Sequence, residues 1–386
     1  MDRLEPYRRK VIEAIKPIAA EVVPTPDAGG RILAETARAA RAAPPFACSA
    51  MDGYAVRHAD VPGEVELLVR RTLYAGDLPG EPVGAGEAVR IFTGAPVPPG
   101  ADAVVREEST EVRGGRVLLR HAARPGENVR AAGEDVAQGA EALPPGIRIG
   151  PRQLALLAAV GCDAVQVHRR VRVALLATGD EVVKGRTPDT NGVALAGLLA
   201  EAGADVERGS VGDDPAALRA ALAGAAASAD AIVTIGGVSV GEKDLVAETL
   251  RGLGADVRVH GVPMKPGKPF LFALLGGRPV LGLPGSPSAC LVAFEVFARP
   301  ALLRLSGANR VDRPRAWLPL ATPCAGKPGR ARFLWASLDP DGSVRPVGRD
   351  AAQVRGPALA QALVCFPEGA GDVAAGERVE TWLLGE

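Results

Sequence analysis

The stretch DAIVTIGGVSVGEKD, Asp230 to Asp244, decides how the rest of the chain is read. Ala231 to Ile235 is an apolar run bounded by a charge and a glycine pair, the pattern of a strand buried on both faces. Where such a strand stops at Gly236 and Gly237, bare backbone N–H groups reach the carboxyl edge of a sheet and can hold an anion. The loop is neither a P-loop, which needs Gly-x-x-x-x-Gly-Lys-Ser/Thr, nor a dinucleotide fingerprint. Further on, MKPGKP (Met264 to Pro269) fixes two lysines between prolines, and LPGSP (Leu283 to Pro287) closes another apolar run. Lys265 and Lys268, rigidly placed, point to a phosphate-like anion.

Outward from this stretch the alternation is regular. Strands are expected over 171–177, 205–211, 231–235, 256–262, 270–275 and 280–283. Helices are expected over 191–202, 215–227, 245–252 and 288–305, the last kinked by Pro300. Strands alternating with helices make an open, mostly parallel α/β sheet over residues 171–308. Towards the N-terminus, 46–135 is β-rich, with short runs at 64–69, 88–92, 103–105 and 116–119 between Gly/Pro turns. Helical texture before it (7–20 and 30–41) and after it (153–160) marks the β-rich part as an insertion into a mixed helical domain, 1–45 with 136–170. Beyond 308 the helical period vanishes, and 309–386 reads as a small C-terminal β domain.

Length and composition bound the function. A chain of 386 residues is too long for one core. Basic and acidic residues balance at 45 each, so no global field recruits nucleic acid or an anionic membrane, and anion selectivity must be local. Only seven of the 45 basic residues are lysine, yet Lys243, Lys265 and Lys268 fall in one segment and Lys184 in another loop, where a compact point charge is wanted. Five scattered cysteines and four scattered histidines give neither a zinc knuckle nor a disulfide framework, and suit a reducing cytoplasm. The charged N-terminus lacks the apolar core of a signal peptide, and no apolar run is long enough to span a membrane.

Three strands end in loops of reactive composition: Thr178-Gly179-Asp180-Glu181, Gly236 to Gly241, and Pro284 to Pro287. In an open α/β sheet such loops converge on one pocket outside the carboxyl ends of the strands. Asp180, Glu181, Asp213, Asp214 and Asp244 add carboxylates at that edge. With the lysines they suit a phosphoanhydride held with Mg²⁺, an ion that keeps its waters and takes one or two carboxylates. Asp213 has the competing role of helix cap, as does Ser288, while Ser286 adds a hydroxyl near a helix entrance. Outside this domain, SAMDGYA (Ser49 to Ala55) and TGAPVP (Thr93 to Pro98) read as tight turns exposing Asp52 and Thr93.

Taken in order, SAMDGYA, TGAPVP, GENVRAAGEDV (Gly126 to Val136), LATGDE (Leu176 to Glu181), PDTN (Pro188 to Asn191), GGVSVGEKD (Gly236 to Asp244), MKPGKP and LPGSP resemble the motifs of the MoeA-type molybdopterin molybdenumtransferases, the molybdenum insertases also represented by the catalytic end region of gephyrin. The similarity covers nearly the whole chain. It implies a four-domain elongated homodimer whose α/β part shares its fold with the molybdopterin adenylyltransferases. The implied reaction inserts molybdate, the co-substrate, into the dithiolene of adenylylated molybdopterin, with Mg²⁺-dependent cleavage of the phosphoanhydride and release of AMP.

At matching positions the resemblance implies a catalytic set of Asp52, Thr93, Asp135, Glu181, Asp244, Lys265 and Lys268. Substrate contacts fall to Gly236, Gly237, Ser239, Gly241, Pro284, Ser286 and Pro287, and metal binding to Glu181, Asp244 and Asp213. Asp52 would come from the β-rich domain of the partner subunit. A molybdopterin adenylyltransferase and molybdoenzyme maturation proteins are the implied partners. Ser286 stands where asparagine is frequent, Lys243 adds a charge before Asp244, and GRDAAQ (Gly348 to Gln353) lacks a serine-rich string common in the last domain. The competing readings are an adenylyltransferase, a non-enzymatic scaffold or metal carrier, and a tungstate-preferring insertase.

Overall fold

A computed structural model of the chain describes residues 3–238, 245–326, 329–348 and 353–385. Its centre is a six-stranded sheet in the order Asp205–Val211, Arg172–Thr178, Ala231–Ile235, Arg278–Leu283, Leu271–Leu275, Asp256–His260. The first four strands run parallel; the last two add antiparallel. Ala231–Ile235 is buried along its whole length. Ala231, Val233 and Ile235 enter one core and Ile232 the other, as a strand covered on both faces must. One covering layer holds the helices Pro215–Ser228 and Leu245–Gly252. The chain leaves Arg172–Thr178 for the sheet edge and returns to its other side as Ala231–Ile235, so a topological switch point lies between these strands.

On the opposite face, Pro287–Ala293 continues through a π-helical turn, Phe294–Ala298, into Arg299–Leu305. Pro300 has no N–H for the carbonyl of Val296, and that carbonyl instead accepts from Arg8 Nε at 3.1 Å. Arg8 is buried, also donates to Asp312, and lies 5.4 Å from the Trp382 ring centroid. The N-terminal helix Glu5–Glu13 is thereby wedged between the α/β core and the C-terminal sheet.

That C-terminal sheet runs Met264–Lys265, Ala331–Leu338, Ala362–Phe366, Arg378–Leu383, Arg315–Pro319, with Val344–Pro346 beside Ala331–Leu338. Ala362–Phe366 is fully buried, although no strand is read there in the sequence. The first member belongs to the lysine loop: Met264 and Lys265 pair in parallel with Ala331 and Arg332. Trp335, Phe333 and Trp382 share one core with Phe294, Phe297 and Cys290. Burial pushes the Cys290 thiol up to about 12, so it packs as an inert apolar group.

Between residues 46 and 135 lies a third six-stranded sheet, ordered Ala103–Arg106, Gly53–Val56, Glu87–Ile91, Val65–Leu73, Arg116–Leu119, Thr110–Arg113. SAMDGYA is therefore only half a turn: from Gly53 it becomes a buried strand paired on both sides. Room for this exists because Gly53 lacks a Cβ, which would stand 2.0 Å from the Val105 carbonyl oxygen. The flanking segments meet as antiparallel ladders, Ala20–Pro24 with Ala164–His168 and Ala37–Arg38 with Glu141–Leu143.

Two helix expectations fail here. The N-terminal helix stops at Glu13, ahead of Pro17, and the chain re-enters as the strand Ala20–Pro24. Residues 30–41 are not helical; Ile32, Leu33 and 37–38 make extended pairings with the segment after the insertion. The alanine and arginine content favours helix weakly, and pairing with a distant strand overrides it.

Candidate functional site

Outside the carboxyl ends of Arg172–Thr178, Ala231–Ile235 and Arg278–Leu283 opens a cavity of about 490 Å³. The loops after all three strands line it, with Thr178, Gly179 and Glu181 from the first, Gly236 and Gly237 from the second, and Pro284, Gly285 and Pro287 from the third. Asp213, the segment 187–191 and Pro269 complete the wall.

Close packing explains the glycine pair. Gly236 and Gly237 have φ of 84° and 63°. A Cβ on Gly237 would stand 2.9 Å from Val246 Cγ2 and 3.1 Å from Thr178 Oγ1, and one on Gly236 would stand 3.0 Å from the same hydroxyl. Thr178 itself is tied down, its hydroxyl donating to the Ile235 carbonyl at 3.0 Å. The pair therefore bends the backbone tightly at the strand end, at the rim of the cavity.

The carboxylates divide by role. Asp180 serves the scaffold: it pairs with Lys184 and accepts from the Asp213 amide at 3.2 Å. Those two contacts, Lys184 first, hold its carboxyl below the usual range. Asp214 is the helix cap, accepting from the Ala217 amide at 2.8 Å. Glu181 and Asp213 are exposed, line the cavity, and form no ion pair or side-chain hydrogen bond with a described residue. Glu181 lies over Gly179, whose Cβ would stand 2.6 Å from Glu181 Oε1. Among the described residues no group of three or more His, Cys, Asp and Glu is arranged to hold a metal ion. Two unengaged carboxylates on one wall do suit Mg²⁺ shared with substrate phosphates.

Lys265 and Lys268 are exposed on the loop whose Pro269 reaches the cavity, and neither lines the wall. Ser286 occupies the N-cap position of the Pro287–Ala293 helix without a side-chain capping bond. Ser288 is buried and is no cap: its hydroxyl accepts from Trp335 Nε1 at 2.9 Å, tying this helix to the C-terminal sheet. Ser239, Gly241, Lys243 and Asp244 lie outside the described residues.

PDTN holds residues to which the sequence reading gave no role. Asp189 caps the Thr190–Glu201 helix through the Gly192 amide at 2.8 Å and binds Arg208 Nη2 at 2.8 Å. Asn191, buried, donates to the Gly285 carbonyl at 2.7 Å and so fixes the proline-glycine loop. An aspartate just ahead of a helical run is a capping signal that was available in the sequence.

A second constellation sits in the β-rich sheet. The Thr93 amide and hydroxyl both donate to Asp52 Oδ1, each at 2.7 Å. The backbone bond first, then the hydroxyl, with Arg90 nearby, hold the Asp52 carboxyl below its ordinary range. Asp135 is exposed, its amide donating to the Ala43 carbonyl. Asp52, Thr93 and Asp135 do not line the α/β cavity.

This fold and cavity define a multidomain α/β protein with a pocket at the switch point of its central sheet. Comparison with known proteins narrows the class. Residues 3–161 match the MoeA N-terminal region (domain I and II), 174–304 the probable molybdopterin binding domain, and 318–384 the MoeA C-terminal region (domain IV). A molybdopterin molybdenumtransferase 2 of Mycobacterium tuberculosis is 36% identical over 404 residues, covering 100% of both chains. A molybdopterin molybdenumtransferase of Nostoc sp. is 38% identical over 342 residues, covering 82% of this chain and 77% of its own. A solved molybdopterin biosynthesis MoeA protein from Pyrococcus horikoshii OT3 shares 26% identity with a TM-score of 0.85 over 98% of each chain.

The chain belongs to the molybdopterin molybdenumtransferase family, and it is a transferase of molybdenum cofactor biosynthesis. An adenylyltransferase reading, which needs the α/β unit alone, leaves the two flanking matches unexplained. Among the described residues no helix is long and apolar enough to cross a membrane.

Proposed function

We propose that the chain inserts molybdate into the dithiolene of adenylylated molybdopterin and releases AMP, working as a cytoplasmic homodimer. The observation that carries this reading is the single cavity onto which three strand-end loops converge, with the unengaged carboxylates of Glu181 and Asp213 on its wall. The glycine-loop N–H groups bind the substrate's phosphate oxygens, and Lys265 and Lys268 neutralise anionic charge at the mouth. Glu181 and Asp213, with Asp244, would hold Mg²⁺. That ion, when bound, offsets phosphoanhydride charge and polarises the P–O bond to be cleaved. Pro284, Ser286 and Pro287 shape the wall that orients the ligand.

Asp52, Thr93 and Asp135 stand apart from the cavity in their own chain and complete it from the partner subunit. Asp52 stays ionised there because Thr93 donates to it twice. A molybdopterin adenylyltransferase supplies the substrate, and maturation proteins of molybdoenzymes receive the product.

The test supplies purified protein with adenylylated molybdopterin, molybdate and Mg²⁺ and follows AMP release and active cofactor. Asp52→Ala and Lys265→Ala should each lower turnover strongly; undiminished AMP release in both would overturn the site assignment. Molybdate and tungstate share shape and charge, and competition between them decides which oxyanion is preferred.

A further inference from the structure

Beside the Asp52–Thr93 pair lies an aromatic feature without a part in the chemistry above. Tyr74 and Phe92 stack face to face, with ring centroids 4.9 Å apart and planes 8° from parallel. Phe92 immediately precedes Thr93 and is half-buried, while Tyr74 is 56% exposed. Phe92 covers one face of the tyrosine, leaving the other to solvent. Arg90 sits 5.2 Å from the Phe92 centroid and is itself fixed by Glu107 at 2.8 Å.

The arrangement is rigid. The Tyr74 amide donates to Asp77 Oδ2 at 2.7 Å, and Arg71 donates to the carbonyls of Pro79 and Glu81, so the loop carrying Tyr74 is pinned from within. A Cβ on Gly94 would contact the Ala75 Cβ at 3.6 Å, so the Thr93 turn and this loop lie side by side. Exposing a large aromatic ring on a braced loop forgoes apolar burial, and a second flat ring laid on it would recover that burial.

We propose that Tyr74, backed by Phe92, is a stacking platform for a flat, nitrogen-rich heteroaromatic ring of the substrate, a positioning residue on the β-rich side of the composite site. The proposal rests on the composite-site reading above. A ring stacked there holds one end of the substrate while its phosphates occupy the α/β cavity. Adenylylated molybdopterin carries two rings of this chemistry, adenine and pterin. Stacking is indifferent to hydrogen-bond pattern, so the platform sets affinity and leaves the chemical step alone.

The experiment measures AMP release by the full-length dimer of Tyr74→Ala, Tyr74→Leu and Tyr74→Phe, with inhibition by AMP and by 6-hydroxymethylpterin as separate probes. Tyr74→Ala and Tyr74→Leu should raise KM about tenfold with kcat within about twofold, and Tyr74→Phe should match wild type. The probe whose inhibition weakens by the same factor identifies the ring. Unchanged KM with unchanged inhibition by both probes overturns the platform. So does a dimer that dissociates on dilution while KM holds, because the aromatic pair would then be a subunit contact. Mixed dimers of Asp52→Ala with Glu181→Gln judge the composite site separately: if they regain turnover while Tyr74→Ala behaves as wild type, the platform alone falls.

Discussion

Thr93 holds Asp52 twice through a single carboxylate oxygen, with its amide and its hydroxyl both 2.7 Å from Oδ1. Substitution by valine removes the hydroxyl and keeps the amide. Thr93→Val should leave the backbone bond, loosen the carboxylate and lower single-turnover AMP release about tenfold, while Thr93→Ser retains it. Equal rates for Val and Ser would show that the hydroxyl has no positioning role.

If Asp52 serves the partner's cavity, Asp52→Ala and Glu181→Gln should each be inactive alone yet restore each other. Subunits exchanged at equal ratio give heterodimers with one intact site and one doubly altered site, so AMP release should return to about a quarter of wild type. Mixtures that stay inactive after exchange would place both residues in one subunit's site.

Gly237 has a positive φ and no room for a side chain against Val246 and Thr178. Gly237→Ala should cost about 2 kcal/mol in denaturant unfolding and also impair AMP release, because the loop backbone must shift. Gly277, at φ 80° with open space around it, is the control, where Ala costs only about 1 kcal/mol of backbone strain and activity is kept.

Asp230 tests the opposite, amino end of the sheet. Burial would raise its pKa, but Arg169, bound through both carboxylate oxygens at 2.6 and 2.5 Å, and the Arg172 amide at 2.8 Å outweigh it, and the net shift is downward. A carboxylate with a depressed folded pKa stabilises fully above its unfolded value, about 3.9, and loses that contribution as pH falls through the folded value. Asp230→Ala should therefore cost about 2 kcal/mol at pH 7 and a vanishing amount near pH 2, read from urea midpoints. A pH-independent difference would contradict this.

Much of the α/β architecture could be read from Ala231–Ile235 and its neighbours, because unbroken apolar runs ending at glycine permit few alternatives. The convergence of Glu181, Gly236 and Pro284 followed from three strands that each end in a loop at the carboxyl edge of one sheet. Residues 30–41 misled because alanine-rich composition resembles a helix, whereas Leu33 pairs with Val167 across the whole insertion. Ser288 had the look of a helix cap, and its partner Trp335 lies in another sheet. Asp180 and Glu181 are adjacent in sequence, and only the positions of Lys184 and the Asp213 amide separate brace from wall. Local pattern reveals elements; it does not reveal which distant group a side chain will meet.

The strand Met264–Lys265 belongs to the α/β segment by sequence and to the C-terminal sheet by hydrogen bonding. A gene split or module exchange near residue 309 would thus remove the backbone partners of a lysine encoded well upstream of the cut. It also means that substitutions in Ala331–Leu338 can re-aim the lysine loop without changing any residue in it. The placement of Lys265 is thus written partly in residues that lie beyond residue 309.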